Sequence, residues 1–257
     1  MNKKQMMKVL MLSVLCLSTA PVFALDKPPV RNKQGVVKTV NIQKSQKVQK
    51  TQKAQGTQAN EAVNPLYPAK YTSEYIRQIK DQYNSVAKDE SFYVALDMLK
   101  GTNGEFSRNA ILGANLTSKP IKVEFKDLST INKNYANYDA LGWKRGSKLY
   151  IYISHKHSTS PAIALAALLA HESLHQDEYN SLSEETYAWT MEAAVWCELL
   201  ELYPEYPLNL DSLVQRENTL KQIFERGGYT NKYIKKTVYS NDGYQNLPES
   251  SPGYEAL

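Results

Sequence analysis

Nine consecutive apolar residues, Ala162-Ile163-Ala164-Leu165-Ala166-Ala167-Leu168-Leu169-Ala170, constrain this chain more than any other stretch. Ser160 is a good helix cap and Pro161 suits a first helical turn, so the run predicts a helix that starts here and ends near Asn180. A helix that is apolar all round has no face to offer water, which places it at the centre of its domain. The run leads directly into His171-Glu172-Ser173-Leu174-His175. On a continuing helix the two imidazoles lie on one face, one turn apart. Ionisable groups on a central buried helix need a partner to justify their desolvation. The chain has only four His among 257 residues, so the pattern is far from expected by chance.

Two imidazole nitrogens at this spacing can hold one Zn²⁺, with Glu172 placed to take a proton from a water on the metal. A catalytic zinc wants a third protein ligand, and Glu185 is the geometric choice. Ser181 and Glu184 have capping-box spacing for a helix over 182–202. From His175 the chain would climb roughly 7.5 Å to the turn and return a few residues to Glu185, bringing the side chains to similar heights. Acids are also favoured in a helix's first turn with no metal at all. Glu184, and His155 and His157 beside the preceding strand, therefore stay open as alternatives. As a loop pair, His155 and His157 are expected to be exposed, although one could face the cleft. Cys197 lies in an apolar helical run and is read as a small core residue.

The other periodicities predict an α+β domain. Helices are expected over 73–88, 89–100 and 107–112, followed by a strand in which Ile121, Val123 and Phe125 alternate with charged residues. Asp139 to Trp143 and Lys148 to Ser154 form a hairpin, giving a small antiparallel sheet packed on the buried helix. Helices at 211–226 and 231–239 make a helical C-terminal part, and 241–257 reads as a loose tail.

Upstream, Lys3, Lys4 and Lys8 precede the apolar run Val9 to Leu17 and a small-residue site at Val22-Phe23-Ala24, the pattern of an export signal over 1–24. Residues 25–60 carry a Gln-Lys-x repeat and no aromatic side chain, so they are expected to be a disordered linker ahead of a domain over 61–240. Net charge is +7 over 26–60 and −5 over 61–257. An exported, acidic folded part argues against nucleic acid as a partner, and the basic linker could tether the protein weakly to an anionic envelope. Periplasmic or extracellular location is expected. Cys197 is the one cysteine beyond the export signal, which rules out a disulfide within the mature chain.

With these motifs in hand, the chain resembles the zincin metallopeptidases, and within them the small gluzincin-like bacterial members. In these a Glu in a Glu-Glu-x-x-Ala-like context follows the His-Glu-x-x-His helix; here it is Glu184-Glu185-Thr186-Tyr187-Ala188. The resemblance covers about 147–200. It implies zinc on His171, His175 and Glu185, Glu172 as general base, a peptide or protein substrate, and strand 148–154 as the edge strand lining the cleft. Thermolysin-like members place an acid four residues after the ligand Glu to orient a histidine. Trp189 stands there in this chain, leaving Glu192 or a backbone carbonyl to fill that role. A zinc-containing or inactive binding module on the same scaffold is the alternative function.

Overall fold

The structure, a computed structural model, describes residues 66–114, 119–175 and 179–254. The export signal expected at 1–24 and the linker expected at 25–60 lie outside those residues. The described order is α1 (Ser73–Tyr83), α2 (Glu90–Met98), α3 (Glu105–Ile111), β1 (Ile121–Lys126), β2 (Ala140–Arg145), β3 (Lys148–Ser154), α4 (Ala162–Glu172), α5 (Leu182–Leu202), α6 (Ser212–Arg226) and α7 (Lys232–Tyr239). The class is α+β, as the periodicities predict.

Every residue of α4 is buried, the outcome its uniformly apolar sequence requires. Its main partners are α5 and α2. Phe92, Leu96 and Leu99 from the α2 region, Trp196 and Leu199 from α5, and Leu149, Ile151 and Ile153 from β3 complete the main core. A second cluster joins Trp189 of α5, Leu220 and Phe224 of α6, Ile234 and Val238 of α7, and Tyr244. Side-chain caps set several helix starts: Thr72 Oγ1 accepts from Tyr75 N, Ser181 Oγ from Glu184 N, and Asp211 Oδ1 from Leu213 N and Val214 N. Ser160 does not cap α4; Pro161 holds that position, and the Ser160 hydroxyl donates to Asp211 Oδ2 at 3.0 Å.

The sheet corrects two expectations. It is mixed, with order β1-β3-β2: β1 runs parallel to β3 from Ile121↔Leu149 to Lys126↔Ser154, and β2 runs antiparallel to β3. Alternation in β1 reports which side chains face the core and carries no information on strand direction. The second correction is that β3 is the central strand and β2 an edge. Leu149, Ile151 and Ile153 face the main core, while Tyr152 packs on the opposite side with Leu128, Tyr135 and Leu141. An unbroken apolar run such as 149–153 is what a strand buried on both faces requires. The β2–β3 turn, Gly146-Ser147, has φ +60° at Gly146, the glycine-first geometry of a two-residue hairpin.

Two further differences bear on the site. Helix α4 stops at Glu172 instead of running to Asn180, and the motif finishes in a tightened turn. Leu174 N donates to His171 O (3.0 Å) and His175 N to Glu172 O (3.3 Å), an i→i+3 pattern. Residues 241–254 are not a loose tail. Tyr244 is buried, and Leu182 N and Ser183 N at the start of α5 donate to Pro248 O and Glu249 O.

Candidate metal centre

The centre forms where the last turn of α4 meets the first turns of α5. Helix α4 delivers His171 and Glu172, the turn after it delivers His175, and α5 delivers Glu184, Glu185 and Glu192. His171, Glu172 and Glu185 are 0 % exposed and His175 is 1 % exposed, so water screens none of them. One donor atom each from His171, His175 and Glu185 lie within 4.8 Å of one another, and His171 Nε2 is 3.8 Å from a Glu185 carboxylate oxygen. Among the described residues, His171 Nε2, His175 Nε2 and Glu185 Oε2 are buried without a hydrogen-bond partner. Three converging orphaned donors would be costly for no return, and together they form the donor set a divalent metal takes.

The other ring nitrogens are fully engaged. His171 Nδ1 donates to Glu192 Oε2 at 3.0 Å, and His175 Nδ1 to Glu184 Oε1 at 2.8 Å. Each bond fixes the ring's orientation and turns Nε2 inward toward the other donor atoms. Burial alone would raise the Glu192 pKa, but the Arg216 guanidinium, followed by His171, holds it well below the usual carboxylate range. Arg216 grips Glu192 with both terminal nitrogens, at 2.5 and 3.1 Å. Its Nε faces Asp139 at 3.3 Å, and Asp139 Oδ1 lies 2.7 Å from His157 Nε2. Burial again works against Asp139, while the bonds and charges of His157, Arg216 and Lys156 keep it ionised. A buried chain thus runs from His157 through Asp139, Arg216 and Glu192 to His171. Glu217, also on Arg216, has its pKa raised well above normal by burial and then by Glu192.

The sequence-predicted residues separate cleanly. His171, His175 and Glu185 come together with Glu172 beside them. Glu184, the alternative ligand, instead accepts from His175, and Glu192 takes the place beside His171 that Trp189 cannot. Trp189 packs its ring against His171, with centroids 6.4 Å apart. His155 is exposed as expected, but His157 is buried against Asp139, and neither joins the cluster. Arg216 and Ser251 were not anticipated. Arg216 had a readable sign, because Arg216-Glu217 interrupts the apolar stripe Leu213, Leu220, Phe224 of α6 on its buried side.

Glu172 has its pKa raised to about 7, first by burial and further by Glu185 and Glu192, against the pull of the two histidines. His175 goes to about 9: burial lowers it, and the carboxylates of Glu185 and Glu184 more than reverse that. No family model, curated protein or solved structure matches the chain. No helix of the described residues is long and apolar enough to cross a membrane.

Proposed function

We propose that this protein is an exported zinc-dependent peptidase. The observation that carries the reading is the convergence of His171 Nε2, His175 Nε2 and the Glu185 carboxylate, with both histidines oriented from behind by the carboxyl groups of Glu192 and Glu184. Two imidazoles and one carboxylate are a donor set suited to catalytic zinc. Bound there, zinc would supply Lewis-acid activation of a water and of a peptide carbonyl. Glu172 is the general base: its carboxylate accepts the water proton as oxygen attacks the carbonyl carbon, and returns it to the amine nitrogen as the C–N bond breaks. The natural pairing edge for an extended peptide is β2, since β3 is flanked on both sides and Gly142 of β2 lies directly against His175. The basic segment 26–60 would hold the enzyme weakly at an anionic envelope.

One observation favours a second reading. The four motif and ligand residues are at most 1 % exposed, so a substrate needs an opening to reach them, whereas a zinc-containing binding module does not. Zinc content and cleavage of a mixed peptide library decide between the two. The expected result is about one zinc per chain, lost in His175→Ala. Glu172→Gln should keep the zinc and lose activity about 10²–10⁴-fold. Wild-type protein that binds zinc and cuts nothing establishes the binding module; wild-type protein that takes up no zinc overturns both readings.

A further inference from the structure

We infer that the C-terminal segment Pro248–Ser251 is a working part of the metal centre, and that Ser251 is a positioning residue for His175, acting through Glu184. The inference rests on His171, His175 and Glu185 being metal ligands.

The first backbone N–H groups of a helix have no acceptor within it. In α5 these groups are taken by a strand of chain more than sixty residues further on. Leu182 N donates to Pro248 O at 2.9 Å and Ser183 N to Glu249 O at 3.0 Å, while Ser181 Oγ accepts from Glu184 N at 3.0 Å. The turn of helix held in this way is the one that carries Glu184 and Glu185.

The side chains continue the connection. Ser251 Oγ donates to Glu184 Oε2 at 3.0 Å, and lies 2.8 Å from Ser181 Oγ. A hydroxyl has one proton to give, so Ser251 spends its proton on Glu184 and accepts that of Ser181. Glu184 Oε1 is left for His175 Nδ1, at 2.8 Å. The order is fixed from end to end: Ser181 to Ser251, Ser251 to Glu184, and His175 to Glu184 from the other side. Both carboxylate oxygens are occupied, so the carboxylate cannot rotate, and the imidazole it holds keeps Nε2 directed at His171 and Glu185. Ser181, Ser251 and Glu184 are all buried, so water does not substitute for a missing member. The same segment is secured on both sides. Tyr244 accepts from Trp189 Nε1 at 3.2 Å, and the Tyr254 ring packs on Tyr187 with Tyr254 N donating to Ser251 O.

Loss of the last ten residues would therefore weaken the metal site without touching a ligand, which makes C-terminal trimming a route to inactivation. The test uses full-length protein in a zinc competition titration against a chromophoric chelator. Ser251→Ala should lose about 10–100-fold in zinc affinity, as removal of an outer partner of a metal-bound histidine does. Ser251→Thr keeps the hydroxyl and should recover most of that loss. Coupling between sites is reciprocal, so zinc should in turn slow hydrogen exchange across 248–254 in the wild type. A thermal melt separates a folded variant from a collapsed one; should Ser251→Ala fail to fold, the threonine variant and the wild-type exchange decide. Unchanged affinity in Ser251→Ala together with zinc-independent exchange at 248–254 overturns the inference and leaves the metal reading intact. Absence of zinc uptake by the wild type overturns the metal reading itself.

Discussion

His175 faces two opposed demands, one from its carboxylate neighbours and one from the metal proposed above. It sits between two buried carboxylates that push its pKa to about 9, so without metal it is protonated at neutral pH. A metal requires the neutral ring. Zinc binding must then expel a proton from His175, and affinity should climb as pH rises toward 9 and level off above it. Calorimetry at pH 7 in buffers of different ionisation enthalpy should show release of about one proton per zinc bound. Release close to zero would mean that His175 is already neutral, and that its bond to Glu184 holds it in that form. Glu172 belongs to the same balance, since its pKa of about 7 is set chiefly by burial beside those groups.

At the scale of elements, the decisive contact is between β2 and the turn that ends the motif. A Cβ added to Gly142 would stand 2.9 Å from His175 O and 3.2 Å from His175 Cβ, which only a shift of backbone can relieve. Gly142→Ala is therefore expected to cost about 1–3 kcal/mol in folding stability, as overpacking does. Because the displaced atoms belong to a proposed metal ligand, zinc affinity should fall as well. Chemical denaturation and the chelator titration on the same variant check both, and an undisturbed zinc affinity would show that the turn absorbs the methyl without moving the ring. The correction of β3 from edge to centre follows from the same geometry. Edge strands tolerate glycine and charge, and Gly142, Lys144 and Arg145 mark β2 as an edge. The continuous apolar run 149–153 marks β3 as the strand buried on both sides.

For the whole molecule, the metal should act as a staple. His171 lies at the end of α4, His175 follows it, and Glu185 lies in the first turn of α5, so an ion held by these three groups would tie the central helix to its main partner. A ligand at a thousand times its dissociation constant adds about 4 kcal/mol to the folded state. For a domain of this size that corresponds to a rise of about 8–16 °C in Tm. Calorimetric scans of the protein with and without zinc, and with excess chelator, measure it directly. A Tm that ignores zinc would show that these elements are held together by apolar packing alone.

The sequence by itself determined what depends on local pattern. The apolar run 162–170 dictated a buried helix, the Ser181 cap dictated where α5 begins although the Glu184 carboxylate turns to His175 and Ser251 and does not close a capping box, and the alternation in 121–125 dictated a strand with one face inward. The pair His171 and His175, with Glu185 in the first turn of the next helix, was legible from spacing because the tightened turn after Glu172 still keeps His175 beside His171, although not on the continuous helix the spacing implies. Tertiary structure decided the rest. Strand direction and order in the sheet depend on which backbone edges meet, and alternation is blind to that. The end of α4 at Glu172 comes with Gly142 of β2 packed against His175 and Glu172, a contact between segments some thirty residues apart. The roles of Glu184, Glu192, Arg216 and Ser251 depend on side chains arriving from α5, α6 and the C-terminal segment. Such residues show in the sequence only as charges or hydroxyls in places where burial, not yet known, would make them costly. Local rules set the elements and the candidate donor residues; what orients those residues comes from contacts between residues far apart in the chain, and these exist only once the core has closed.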